Sequence, residues 1–250
     1  MPLAGHLIEL RSRLLRVVMV IFSLFIVGFS FLNDQLRIFF MGPHRLAVSE
    51  LAERVPPVEI PAQLSVLSPL EPVFFDLKIS LLLALLAGFP YLLYQTWGFI
   101  AAGLLKPEKR AISAYLPWAM VFALIGMSFG YFIAIPLLLE FLYAMVDQSL
   151  MIPAYRLEDY FALFLMFTFA LGLIFQLPLL LLGLSAAGMV DSKFLRRYRR
   201  HFILGAFVVG AIFTPPEPFS QFMMAMPTVL LYELGLWMVV IRERSRRQKA

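Results

Sequence analysis

The sequence contains no cysteine and only three histidines, His6, His44 and His201. Without cysteine the chain forms no disulfide, no thiolate nucleophile and no cysteine-ligated metal centre. The histidines are far apart and match no metal-ligand spacing, so neither a metal nor another cofactor is expected. A membrane-embedded enzyme would need a His/Glu or Ser/His constellation, and the sequence offers none.

Charge is also scarce. Charged residues make up 15% of the 250 positions, 61% are hydrophobic, and the mean hydropathy is +0.85. One soluble core cannot enclose that much apolar surface, so the composition predicts an integral membrane protein. The net charge of +5 would suit nucleic acid, but the basic residues cluster at the ends of apolar runs with little aromatic interleaving. That arrangement favours a role in membrane orientation instead.

The basic residues that are present follow a pattern along the chain. Sixteen of the 21 Lys and Arg residues lie in four short stretches, at 11–16, 106–110, 193–200 and 242–249. Lys and Arg are retained on the cytosolic side during membrane insertion. The alternation therefore predicts six spans, with both termini and two loops in the cytosol.

The apolar runs predict transmembrane helices at about 14–32, 73–99, 114–139, 160–184, 201–213 and 219–241. The fifth run has only 13 residues, or about 20 Å of helix, against a hydrocarbon core of about 30 Å. A helix this short thins the bilayer locally or depends on its neighbours. The expected fold is an all-α polytopic membrane protein with short last spans.

The polar segments complete a single membrane domain over residues 1–250. We expect a cytosolic amphipathic helix at 1–13, an external cap loop at 33–70 and a cytosolic basic tail at 242–250. Prolines lie well inside four spans, at Pro90, Pro136, Pro178 and Pro227. Each removes a helix hydrogen bond and predicts a kink. Two interpretations of these prolines are open. Neighbouring helices can satisfy the freed carbonyls within a compact bundle, or the kinked spans can form a concave face.

The segment before the first span has helical spacing. Its polar face carries His6, Glu9, Arg13 and Arg16, and the opposite face is made of leucines. This spacing predicts an interfacial helix. Spacing alone favours an ordinary amphipathic anchor in which Glu9 pairs with Arg13 at i,i+4.

Four segments in order carry a resemblance to a known family: HLIELRSR at 6–13, YQTWGF at 94–99 leading to Glu108, FTPPEPFSQ at 213–221, and LYE at 231–233. Together they resemble the TatC family, the multispanning receptor of the twin-arginine protein translocase. The resemblance implies a non-enzymatic receptor in the bacterial cytoplasmic (inner) membrane. Such a receptor binds twin-arginine signal peptides of folded cargo and assembles with TatA and TatB subunits, as a homo-oligomer within the receptor complex.

The resemblance also assigns roles to residues. Glu9 and Glu108 match the signal-binding carboxylates, and Arg11, Arg13 and Phe99 belong to the same patch. Arginine suits such a site because its planar guanidinium matches a carboxylate, whereas lysine is a point charge. Simple ion pairing with the neighbouring basic residues is the alternative reading of both glutamates.

Two further polar pairs follow from the resemblance. Thr214 and Gln221 match a cluster that docks a partner TatA or TatB helix, or else they line the external turn. Gln176, where the family commonly has glutamate, and Glu233 are expected to be polar positions of the concave face. We expect the Ile174 carbonyl, freed by Pro178, to accept a hydrogen bond from the Gln176 amide.

The strongest competing function is a secondary transporter or channel for a small solute. That class predicts charged partners near the middle of the membrane and paired broken helices. Glu233 is the one charge the sequence offers there, and its partner does not follow from the sequence.

Overall fold

The computed structural model describes residues 3–54, 60–102, 116–147, 150, 153–214 and 217–247. These residues are almost entirely helical, with one isolated parallel bridge between Ser65 and Arg156. The helices are α1 (Leu3–Phe31), α2 (Asn33–Phe40), α3 (Gly42–Ala52), α4 (Glu71–Ala102), α5 (Leu116–Phe129), α6 (Ile135–Ala144), α7 (Leu157–Ile174), α8 (Leu177–Ala186), α9 (Ser192–Phe213) and α10 (Pro218–Arg247).

Five stretches have the length and apolar composition to cross a membrane: Ile8–Phe31, Glu71–Phe99, Pro117–Ala144, Leu157–Ala186 and Pro218–Ser245. Large apolar side chains on them lie exposed, among them Phe132 at 62% and Trp237 at 69%. Lipid accommodates such surfaces and water does not. The prediction of an all-helical, multi-pass membrane protein is therefore confirmed.

The predicted fifth span is not among these five stretches. Residues 201–213 form the second part of α9, whose first part carries the five basic residues of 193–200. The charges and the apolar segment thus share one 22-residue helix. The sixth crossing and the orientation of the termini stay predictions.

The prolines act in two ways. A π-helical turn, Gly130–Ala134, precedes Pro136. Two residues separate the end of α7 at Ile174 from the start of α8 at Leu177 and Pro178. Each interruption lies where the ring removes a helix hydrogen bond. In contrast, α4 and α10 continue through Pro90 and Pro227.

The chain forms two compact units, and the first comprises the described residues of Met1–Met19, Phe89–Gly126 and Ala170–Ala250. Its buried apolar cluster joins α8, α9 and α10 and consists of Leu181, Leu182, Leu195, Tyr232, Leu236 and Val239. Phe202 of α9 stacks on Tyr232 of α10 with ring centroids 4.0 Å apart. The Tyr232 hydroxyl donates to the Leu195 carbonyl at 2.7 Å, so this buried polar group is satisfied.

The second unit comprises the described residues of Val20–Gly88 and Met127–Phe169. Phe40, at the end of α2, is fully buried among the rings of Phe75, Tyr160 and Phe164, with centroids 4.8–5.1 Å away. The Tyr160 hydroxyl donates to the Phe40 carbonyl at 2.7 Å. These contacts anchor the segment that the sequence suggested would be a loop: residues 33–52 form the two helices α2 and α3.

The predicted terminal segments are parts of longer helices. The described part of the amphipathic segment, residues 3–13, is continuous with the first apolar run in α1, and the basic tail is helical as far as Arg247. Two side chains hold the end of α10 in place. Glu243 accepts from the backbone N–H of Ser192 at 2.8 Å, and Arg242 donates to the Ser185 hydroxyl at 3.3 Å.

Candidate functional site

An ion pair lies on the polar face of α1. The Nη2 and Nε atoms of Arg13 both donate to Oε1 of Glu9, at 2.7 and 2.9 Å. The pairing predicted at i,i+4 is therefore present. The two side chains keep 21% and 24% of their surface exposed, so water screens the pair only partly.

Arg13 also connects α1 to α4. Its Nη1 donates to Oε1 of Gln95 at 3.1 Å, and the Gln95 amide in turn donates to the Tyr91 hydroxyl at 2.7 Å. Gln95 is only 4% exposed, so these bonds fix its side chain in a buried position. A relay of three side chains therefore orients Glu9.

Gly98 makes room for this relay. A Cβ atom at position 98 would overlap with Nη1 of Arg13. Both Gln95 and Gly98 belong to the YQTWGF motif, but neither was predicted to be a site residue. Helical spacing could have placed Tyr91 beside Gln95, but the contact with Arg13 joins residues 82 positions apart.

The second carboxylate oxygen of Glu9 is not used by the ion pair. No described residue donates a hydrogen bond to Oε2, since both Arg13 donors meet Oε1. Arg11 is exposed on the same helix. The site can therefore accept another donor without breaking the pair.

The other predicted members of the patch lie near the end of α4. Phe99 is half-buried in the last turns of that helix. Glu108 lies outside the described residues. The prediction that Glu9 and Glu108 act together therefore stays a prediction.

Gln176 lies at the break between α7 and α8, on a largely apolar cavity of about 430 Å³ that Leu93, Trp97 and Leu180 also line. Its amide donates to the Ala119 carbonyl at 3.1 Å, so the expected bond to the Ile174 carbonyl is wrong. Helix α5 supplies the acceptor instead. The Gln176 Oε1 is buried and accepts no hydrogen bond from a described residue.

Thr214 and Gln221 lie on either side of the turn between α9 and α10, and both bond to α9. The Thr214 hydroxyl donates to the Gly210 carbonyl at 2.9 Å, and the Gln221 amide donates to the Phe207 carbonyl at 2.9 Å. Glu217 caps α10 by accepting from the Ser220 N–H at 2.9 Å. These bonds satisfy polar groups where lipid would leave them unpaired.

Glu233 is paired. Arg199 of α9 donates through Nε and Nη2 to its two carboxylate oxygens, so the partner that the sequence left open is Arg199. Such a two-pronged bond satisfies a carboxylate within a largely apolar helix.

Sequence and structure comparisons decide the family. A family model for TatC, described as the Sec-independent protein translocase protein, matches residues 5–227. The chain belongs to the TatC family. Family membership places it among the components of protein transport and not among enzymes.

Individual TatC proteins align over most of this chain. A TatC from Aquifex aeolicus is 34% identical over 99% of this chain and 98% of its own length, and one from Escherichia coli K12 is 31% identical over 94% and 87%. A TatC from Halothiobacillus neapolitanus is 35% identical over 93% of this chain, which spans 60% of that longer protein. A crystal structure of a twin-arginine translocase receptor TatC, 33% identical, superposes with a TM-score of 0.77 over 94% of this chain and 98% of that one.

Proposed function

We propose that this TatC-family chain is the receptor subunit that binds twin-arginine signal peptides of folded proteins on the cytosolic face of the bacterial cytoplasmic membrane. The likeness to a solved twin-arginine translocase receptor supports the proposal. The observation that carries it is the Glu9 carboxylate, which Arg13 and Gln95 orient and whose Oε2 remains open to a further donor.

The chemistry of an arginine pair fits this carboxylate. A guanidinium offers five N–H donors in a planar fork, and the open Oε2 of Glu9 accepts at least one of them. Glu108 supplies the second carboxylate, so that each arginine of the signal meets one acidic group. Arg11 and Phe99 flank the bound peptide, and Phe99 packs against its apolar part.

Six spans with both termini in the cytosol are part of the proposal. Helices α9 and α10 run side by side, because Phe202 stacks on Tyr232 and Gln221 bonds to the Phe207 carbonyl farther along. Residues 193–200 and the described residues of the basic tail, 242–247, therefore lie at the same end of the pair, as two cytosolic basic stretches require. Thr214, at the end of α9, then lies about 20 Å from the basic end, which is less than the thickness of the bilayer.

The partners are TatA and TatB subunits together with further copies of the chain. Gln221 is half-exposed and donates one amide hydrogen to Phe207, and its Oε1 accepts from no described residue. A polar side chain on a partner transmembrane helix completes this bonding, since lipid offers none. Thr214 contributes to the same docking surface.

Polar groups deeper in the first unit serve the transported chain. The buried Oε1 of Gln176 accepts a hydrogen bond from water or from a peptide N–H that enters the neighbouring apolar cavity. The pairing of Glu233 with Arg199 stabilises the wall formed by α9 and α10.

Peptide binding to the purified protein tests the receptor proposal. Glu9→Ala is expected to weaken binding of a twin-arginine peptide roughly 10-fold, the effect of losing one charged hydrogen bond at a partly wet site. Glu53→Ala, which removes an exposed glutamate from the second unit, is the matched control and should bind normally. Unchanged affinity in the double variant Glu9→Ala/Glu108→Ala would refute the receptor site.

A further inference from the structure

A groove of about 450 Å³ between α9 and α10 carries arginines that signal-peptide binding does not use. Arg196 and Arg199 line it from α9, and Glu233 and Arg244 line it from α10. Three positive charges face one negative charge, so the groove has a net charge of two positive units. Its basic end lies where the two helices bear their cytosolic arginine stretches.

The positive charges of the groove differ in their availability. Arg199 donates to both carboxylate oxygens of Glu233, which neutralises its charge. Arg196 and Arg244 are exposed, and neither forms a hydrogen bond or ion pair with any residue that the structure describes. The free donors of the groove therefore point to an anionic ligand.

The rest of the groove is apolar. Trp237 and Ile241 line it and are 69% and 63% exposed, and both lie on the same face of α10 as Arg244. An exposed tryptophan beside arginines is typical of the membrane interface, where one side of a residue meets head groups and the other meets acyl chains. A soluble anion would bond to the arginines but would make no use of the apolar surface of Trp237 and Ile241.

We propose that this groove binds an anionic phospholipid, with the phosphate held by Arg196 and Arg244 and an acyl chain lying along Trp237 and Ile241. Guanidinium groups match phosphate oxygens in charge and geometry, and basic pockets between transmembrane helices suit anionic lipid head groups. A zwitterionic lipid adds an ammonium group that the net positive charge repels. The site belongs to the cytosolic leaflet under the proposed orientation, but its chemistry does not depend on which leaflet it faces.

Lipid titration of the purified full-length protein, followed by native mass spectrometry, tests the site. Phosphatidylglycerol is the probe and phosphatidylcholine the zwitterionic comparison. Arg196→Gln/Arg244→Gln should bind phosphatidylglycerol roughly 30-fold more weakly, which is the effect expected for two basic residues at a lipid head group. The control Lys193→Gln/Arg200→Gln removes the same charge from exposed positions of α9 outside the groove and should lose less than about three-fold.

Equal losses in the two double variants would overturn the proposal, because they would indicate a general attraction to positive charge. Displacement of the lipid by millimolar inorganic phosphate would also overturn it and indicate a soluble-anion site. If the double variant does not fold, Arg244→Gln alone, near the exposed end of α10, should still bind roughly five-fold more weakly. Twin-arginine peptide binding should be unchanged in all these variants, so failure of the lipid site is distinguishable from failure of the receptor site.

Discussion

At the scale of single residues, the candidate signal-binding carboxylate is held by its neighbours. Arg13 occupies Oε1 of Glu9, Gln95 holds Arg13, and Tyr91 holds Gln95. Arg13 thus bonds to both Glu9 and Gln95, and its predicted contact with the signal peptide stays a prediction. A carboxylate oriented before the ligand arrives has less side-chain freedom to lose on binding.

Gly98→Ala tests whether this relay matters. The new Cβ would displace Nη1 of Arg13 and break its bond to Gln95, with little other change in the first unit. We expect about five-fold weaker binding of a twin-arginine peptide, measured by calorimetry, the effect of about 1 kcal/mol from a partly exposed charged hydrogen bond. Gly205→Ala is the matched control, because a Cβ at position 205 meets no atom within 4 Å. Equal affinities for the two variants would exclude a role for the relay.

The sequence predicts the local contacts of this site but not the contacts between its helices. The helical spacing of Glu9 and Arg13 follows from the chain itself, and their i,i+4 contact is present. The role of Gln95 could not be predicted in the same way, because it depends on how α1 packs against α4. The same holds for Glu233. The free-energy cost of a carboxylate within an apolar helix follows from the sequence, but its partner Arg199 lies 34 residues away and could not be predicted.

At the scale of elements, the segment between the first two apolar runs departs most from expectation. Prolines and charges in 33–70 favoured a loop, yet residues 33–52 form α2 and α3. Neither helix has the long apolar periodicity that marks a span, so packing stabilises them and sequence propensity does not. Buried Phe40 and an exposed ion pair between Arg37 and Asp76 of α4 supply the contacts.

We expect His44 to make this helical segment sensitive to pH. The imidazole is fully buried in α3, and its Nδ1 lies 2.8 Å from the Tyr143 hydroxyl. Burial lowers the pKa of His44 below its ordinary value of 6.5, and the backbone of Ala62 and Pro61 offsets this only in part. A lowered pKa in the folded state means that stability is complete above about pH 6.5 and is lost as the pH falls below it.

Hydrogen exchange over residues 42–52 measures this dependence. After correction for intrinsic rates, protection should fall between about pH 7 and pH 5 in the unmodified protein. His44→Gln should remove that dependence, since an amide does not titrate. His201→Gln, at an exposed position of α9, is the control and should keep it. A pH profile in His44→Gln identical to that of the unmodified protein would assign the effect to another group.

At the scale of the whole molecule, composition and charge pattern were enough to predict a multi-pass helical membrane protein. Five stretches agree with predicted spans to within six residues at each end. The last of them, Pro218–Ser245, has 28 residues, so the expectation that the sixth span is short is wrong. The apolar part of α9 agrees less well, because its 13 residues are too few to identify a span by length. Its packing on α10 is a tertiary property, set by contacts such as that of Phe202 with Tyr232.

Single introduced cysteines test the orientation of the loops and termini. Because the chain has no native cysteine, each introduced thiol reports on one position alone. Glu53→Cys and Lys193→Cys replace exposed residues separated by three predicted crossings, so an odd number of membrane passages places them on opposite sides. Intact cells treated with an impermeant maleimide should label Glu53→Cys, and Lys193→Cys should react only after permeabilisation. Ser245→Cys, at the exposed end of α10, should behave like Lys193→Cys, because the packing of α9 on α10 puts both residues at the same end of the helix pair. Labelling of Ser245→Cys from outside would contradict the cytosolic position of the C-terminal end.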